Sequence, residues 1–147
     1  MNLDHLYQEV ILDHYKHPEN KQLSIDKDVQ VHHVNPSCGD EITLNLSLNN
    51  GVIANVSWDG EGCSISMASA SVMSGLLQGK SPEEATQILE SFMELMQSKG
   101  TSKGDEALLE DAVAFAGVSK YPARIKCALL GWMAYKDAFL QIQGKSK

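Results

Sequence analysis

The sequence predicts an α+β domain in which short antiparallel strands come first and helices follow. Two observations carry that prediction. Between residues 42 and 58 apolar and polar side chains alternate, as in strands with one buried face. From residue 64 onward the apolar residues recur at the three- and four-residue spacing of helices, punctuated by Gly, Pro and capping residues. The 147 residues suit one domain spanning 1–147, large enough to bury a core without disulfides.

Leu3, Leu6, Tyr7, Val10, Ile11 and His14 place an apolar stripe on an N-terminal helix that Pro18 ends. Residues 19–28 are polar and read as a connecting loop, after which Val29 and Val31 mark a short first strand leading to Asn35-Pro36. Ile42, Leu44, Leu46 and Leu48 alternate with polar residues, and Val52, Ala54, Val56 and Trp58 alternate with Ile53, Asn55 and Ser57. A two-residue turn at Asn50-Gly51 would set Leu46 opposite Asn55. A three-residue loop, Asn49-Asn50-Gly51, instead pairs Leu48 with Val52, Leu46 with Ala54, Leu44 with Val56 and Ile42 with Trp58. That register gathers the paired apolar residues on one face and is the one expected.

Residues 64–78 read as a helix rich in Ser, Ala and Met, with Ile65, Ala68, Val72 and Leu76 on one stripe and Gly79 as its stop. Ser81-Pro82-Glu83-Glu84 is a capping box with Pro at the first helical position, and Ala85, Ile88, Leu89, Phe92 and Met96 form the buried face that follows. Lys99 to Gly104 is a polar break. Asp105 caps a further helix expected to run through Phe115 and end at Gly117. Pro122 opens a last helix that turns Ala128, Leu129, Trp132, Tyr135 and Phe139 inward.

The balance of 12 basic and 19 acidic residues gives a net charge of −7 and no basic cluster, which argues against a nucleic-acid partner. No apolar run approaches the roughly 20 residues that span a bilayer. Met1-Asn2-Leu3-Asp4-His5 lacks the basic start and apolar stretch of a signal peptide, so a cytoplasmic location is expected. Three cysteines are an odd count for a disulfide framework, whereas three thiols and one further donor complete a tetrahedral metal site.

The hairpin brings part of such a site together. Cys38 and Asp40 stand just before Ile42, and Cys63 follows shortly after Trp58, so all three fall at one end of the sheet. Cys63 also precedes a helix, whose N-terminal amides favour a thiolate. Cys127 lies near the start of the last helix, and the sequence does not establish that it arrives at the same place. With it, three thiolates and a carboxylate suit zinc, and iron or an iron–sulfur cluster also fits thiolates. His5, His14, His17, His32 and His33 read as surface or boundary residues, and the Met67–Met73 stretch as core packing.

At these residues the chain resembles the U-type iron–sulfur assembly family, with its IscU scaffold, SufU and NifU N-terminal branches. The matching segments run from Leu6-Tyr7 through Asp13-His14-Tyr15 and His17-Pro18 to Asn35-Pro36-Ser37-Cys38-Gly39-Asp40. They continue with Gly60-Glu61-Gly62-Cys63-Ser64-Ile65-Ser66, Ala70-Ser71 and Pro122-Ala123-Arg124-Ile125-Lys126-Cys127. The resemblance implies a three-stranded antiparallel sheet with helices packed on one face and the metal site at the sheet's end. It implies zinc held by Cys38, Asp40, Cys63 and Cys127, with Cys38 accepting sulfur and Arg124, the only arginine, stabilising the thiolates. The implied partners are a pyridoxal-phosphate cysteine desulfurase of the SufS kind and other iron–sulfur assembly proteins. The alternative it offers is an IscU-type scaffold that builds a [2Fe–2S] cluster on the same residues. Three departures favour the SufU branch: Lys126 stands where IscU has His, the Leu-Pro-Pro-Val-Lys motif is absent, and extra residues fall within about 95–115.

Overall fold

Three antiparallel strands, β1 (Val29–Asn35), β2 (Asp40–Asn49) and β3 (Val52–Glu61), form a sheet in the order β1-β2-β3 in the computed structural model. The description covers residues 3–145, and the side chains from 5 to 144. The expectations placed on Met1, Asn2, Asp4 and the side chain of Leu3 therefore lie outside the described residues. Val29, Val31, Ile42, Leu44, Leu46, Ile53, Val56 and Trp58 are buried on the face that receives the helices.

The hairpin register differs from the expected one. Asn49 pairs with Val52 across a two-residue turn in which Asn50 (φ 54°) and Gly51 (φ 76°) both adopt the left-handed conformation such a turn requires. One extra residue, Ala54, then bulges from β3, because Leu48 pairs with Ile53 while Ser47 pairs with Asn55. The bulge restores the phase: Leu46 meets Val56, Leu44 meets Trp58 and Ile42 meets Gly60. Ile53 is consequently buried, while Val52 and Ala54 face outward.

The free edge of β3 is closed by neighbouring chain rather than left for another strand. Trp58 N–H donates to Asn20 O and its indole N–H to Glu19 O, while Ile53 N–H donates to Lys80 O and receives Gly79 N–H on its carbonyl. Residues 19–28 continue across the outer face, where Ser24 N–H donates to Ser57 Oγ and Asn45 Nδ2 donates to Ser24 O. That loop explains why Asn45 and Ser57, on the side away from the helices, are buried.

Helix α1 (Leu3–Lys16) half-buries Tyr7, Val10 and Ile11, leaves Leu6 exposed, and buries His14. His14 is thus an interior tie, with Nδ1 2.8 Å from Ser71 Oγ and Nε2 2.9 Å from Asp111 Oδ2. Helix α2 (Ser64–Leu77) is buried on nearly every side, more than a single stripe predicts, because it lies between the sheet, α1 and the last helix. Its small residues admit the last helix closely: Ser69 Oγ donates to Ala128 O at 2.6 Å and accepts from the Trp132 indole at 3.0 Å. Met67 and Met73 are core residues, as expected.

Helix α3 (Pro82–Gln97) carries the full capping box of Ser81 and Glu84 and the predicted buried face, with Leu95 added. Asp105 caps α4 (Glu106–Leu109) through the N–H groups of Ala107 and Leu108, but the helix stops at Glu110, whose φ is 48°. A 3-10 segment replaces its continuation over Glu110–Lys120. Leu109, Ala112, Phe115 and Val118, among the buried residues of this stretch, recur every three positions, a spacing that suits three residues per turn. Helix α5 (Pro122–Lys145) packs along β1 and β2 with Ala128, Trp132 and Tyr135 fully buried. No helix among the described residues is long and apolar enough to cross a membrane.

Candidate metal centre

Four of the five predicted site residues meet at the end of the sheet that holds the β1–β2 turn. Cys38 sits in that turn, where its N–H and that of Gly39 (φ 72°) both donate to Asn35 O, and it is exposed. Asp40 opens β2, paired with Asn35, and is fully buried. Cys63 follows β3 and is the N-cap of α2; Ser66 N–H donates to its Sγ at 3.5 Å. Cys127 lies in the first turns of α5, and the docking of that helix on the sheet buries it completely.

The donor atoms converge. Cys38 Sγ and Cys127 Sγ are 3.2 Å apart, and ligand atoms of Cys38, Asp40 and Cys127 lie within 4.8 Å of one another. Cys63 stands beside this group, with its Sγ 3.9 Å from Asp40 Oδ2 and its N–H donating to Asp40 Oδ1 at 2.9 Å. Sulfurs held about 2.3 Å from a tetrahedral ion are about 3.8 Å apart, so the Cys38–Cys127 pair, at 3.2 Å, would open by about 0.6 Å to take one.

The electrostatics call for a cation. Asp40 is a buried carboxylate whose hydrogen-bonding neighbours among the described residues are Cys63 N–H and thiols, with no basic side chain. Burial pushes the Cys127 thiol far above its ordinary range, and its hydrogen bonds with Cys38, Asp40 and Cys63 add to the effect. An isolated buried carboxylate surrounded by thiols is costly, and a divalent ion with sulfur and oxygen ligands removes that cost. The donor set therefore fits zinc.

Arg124 takes a different position. It precedes Cys127 by one helical turn, is exposed, and forms no ion pair among the described residues. Its side chain borders a cavity of about 320 Å³ together with Tyr7, Ile11, Ile65 and Tyr121. His32 and His33 stay away from the centre: His32 faces solvent, and His33 Nε2 lies 2.8 Å from Asp137 Oδ2 on α5. Two contributors lacked an assigned role in the sequence reading. Asn35 Nδ2 approaches Cys127 Sγ at 3.9 Å, and Ser66 supports Cys63 from three residues on, the spacing of a helix cap.

Comparison with known proteins identifies the family. The NifU-like N terminal domain family matches residues 6–128. The chain is 45% identical over 143 residues to the zinc-dependent sulfurtransferase SufU of Bacillus subtilis, covering 97% of this chain and 95% of that protein. It is 41% identical to the iron–sulfur cluster assembly scaffold protein IscU of Streptococcus pyogenes, covering 92% and 84% respectively. A solved structure of a candidate SUF-system assembly scaffold from Fervidobacterium islandicum superimposes with a TM-score of 0.82 at 31% identity, over 93% of this chain and 98% of that one. Sequence and overall fold agree over nearly the whole chain, and this chain belongs to the NifU-like N-terminal domain family of iron–sulfur cluster assembly proteins.

Proposed function

We propose that this protein is a zinc-dependent sulfur acceptor, taking persulfide sulfur from a pyridoxal-phosphate cysteine desulfurase for iron–sulfur cluster assembly. The observation that carries the reading is the exposure of Cys38 beside the buried Cys127 and Asp40. Cys38, Asp40, Cys63 and Cys127 would hold the metal, and zinc supplies the positive charge that keeps buried thiols deprotonated without redox chemistry of its own. Asp40 and Cys127 anchor the centre from the interior, Cys63 ties it to α2, and Cys38 presents its sulfur to solvent.

Transfer is an exchange at sulfur. The Cys38 thiolate attacks the outer sulfur of the donor's persulfide; the donor's S–S bond breaks, and the donor cysteine leaves with the electron pair. A persulfide remains on Cys38, with no net oxidation of the two proteins together. Arg124, on the turn before Cys127, is assigned to stabilising negative charge at the rim.

Metal analysis of protein purified without added metal should find about one zinc per chain. After exposure to desulfurase and cysteine, mass spectrometry should place the added sulfur on Cys38, and Cys38→Ser should not acquire it. Sulfur found on Cys63 or Cys127 would overturn the assignment. A coloured, iron-bound protein would favour the [2Fe–2S] scaffold reading, which the similarity to IscU keeps in view.

A further inference from the structure

A sulfane sulfur on Cys38 is at the oxidation level of elemental sulfur, whereas cluster sulfur is sulfide, two electrons lower. Zinc cannot supply those electrons. A thiol can, and one stands within reach: Cys127 Sγ is 3.2 Å from Cys38 Sγ. We propose that Cys127 is a resolving thiol that releases the sulfur bound on Cys38 as sulfide, leaving a Cys38–Cys127 disulfide.

The atoms balance. Cys127 Sγ attacks Cys38 Sγ, forming the new S–S bond; the bond between Cys38 Sγ and the outer sulfur breaks, and the outer sulfur keeps the electron pair. Cys127 attacks as the thiolate and the departing sulfur keeps the persulfide's own proton, so a persulfide and a thiolate become a disulfide and hydrosulfide. Two cysteines are oxidised and one sulfur is reduced. A thiol reductant then returns the pair to its starting state, as in ordinary thiol–disulfide exchange.

The placement favours Cys127 over Cys63. Cys63 Sγ is engaged with Ser66 and Asp40 at the start of α2, and it lies outside the atoms grouped within 4.8 Å around Cys38. Closing 3.2 Å to the roughly 2.05 Å of a disulfide needs a movement of about 1.2 Å. Cys38 lies in the turn beside Gly39, outside helix and strand, and can supply that movement while α5 stays docked. Burial also shields Cys127 from competing thiols and oxidants, which reserves it for a partner delivered by Cys38.

The inference rests on the reading of Cys38 as sulfur acceptor, and one experiment tests both separately. The full-length protein is treated anaerobically with a small persulfide donor, cysteine persulfide, then freed of donor and left without added thiol. Sulfide is measured over time, and the chain is digested first after lysine and then at acidic residues, since Cys38 and Cys63 share the segment between Lys27 and Lys80. Expected are about one sulfide per chain and a link between the peptides carrying Cys38 and Cys127, neither appearing without donor. Persulfide that persists on Cys38 with no sulfide overturns the resolving role and leaves the acceptor reading standing. A link from Cys38 to Cys63, or a disulfide without matching sulfide, also overturns it. Absence of all three products (persulfide on Cys38, released sulfide and a disulfide) overturns the acceptor reading and this inference with it. Cys127→Ser should retain persulfide on Cys38 and reduce sulfide release to background, and release at the parent rate refutes the proposal whatever its metal content.

Discussion

Replacing Gly62 by alanine puts a methyl group where the site has no room, and the consequence can be worked from the coordinates. A Cβ at Gly62 would lie 2.5 Å from Asp40 Oδ1, 2.8 Å from Ser66 Oγ and 2.9 Å from Asp40 Cγ. Restoring an ordinary contact of 3.4 Å moves the carboxylate by about 0.9 Å. Asp40 is fully buried and cannot swing into solvent, and its Oδ1 already accepts the 2.9 Å bond from Cys63 N–H. That displacement breaks a hydrogen bond to a charged group, worth about 1.5–3 kcal/mol. Because the same carboxylate belongs to the proposed donor set, the loss should appear in zinc affinity as a weakening of about 10- to 150-fold. The assay is competition for zinc against a chromophoric chelator, with circular dichroism confirming that the variant is folded. A folded Gly62→Ala variant that binds zinc within about twofold of the parent would show that Asp40 is not held as described, or is not a ligand.

Two further substitutions probe the fold away from the metal. Gly51→Ala meets no neighbouring atom but must adopt a φ of 76°, so chemical denaturation should show a loss of about 1 kcal/mol with zinc affinity unchanged. Tyr135→Phe removes a buried hydroxyl that has no hydrogen-bond partner among the described residues and whose ionisation burial pushes up to about 12; stability should hold or rise by up to about 1 kcal/mol, and a loss above about 2 kcal/mol would reveal a hidden partner.

Alternation identified the strands correctly but not their pairing, and the reason is physical. Side-chain period decides which face a residue takes; it does not fix how far one strand has slid along the other. Both the expected three-residue loop and the observed turn with a bulge collect Leu44, Leu46, Val56 and Trp58 on one face. The fates of Ile53, buried in the structure, and of Val52 and Ala54, turned outward, separate them. The two-residue slip matters at the site: with Glu41 opposite Glu61, Gly62 arrives beside Asp40, which explains the contact between Cys63 N–H and the carboxylate. Convergence of Cys38, Asp40 and Cys63 was therefore legible, while its closeness was not. Cys127 was not legible from spacing, because its arrival depends on α5 settling on the sheet with Ser69 bonded to Ala128 O and the Trp132 indole. The 3-10 segment escaped because a three-residue apolar spacing also belongs to the set that marks an α-helix.

The same packing that buries Cys127 assigns unequal roles to chemically identical thiols. A centre made only for retention gains from burying every ligand, since each exposed sulfur is open to oxidants and competing chelators. Here Cys127 and Asp40 are inaccessible, Cys63 is half-covered at a helix cap, and Cys38 alone stands exposed in a turn. Exposure costs retention and gains access, so the gradient makes sense where one sulfur must meet another protein and the others must stay. The surroundings agree. Arg124, the only arginine of a chain with net charge −7, lies on the exposed first turn of α5 beside Tyr7, Ile11 and Ile65 and offers a positive charge to an anionic partner. A purely structural metal site would not need an exposed thiol, and this chain has one at Cys38.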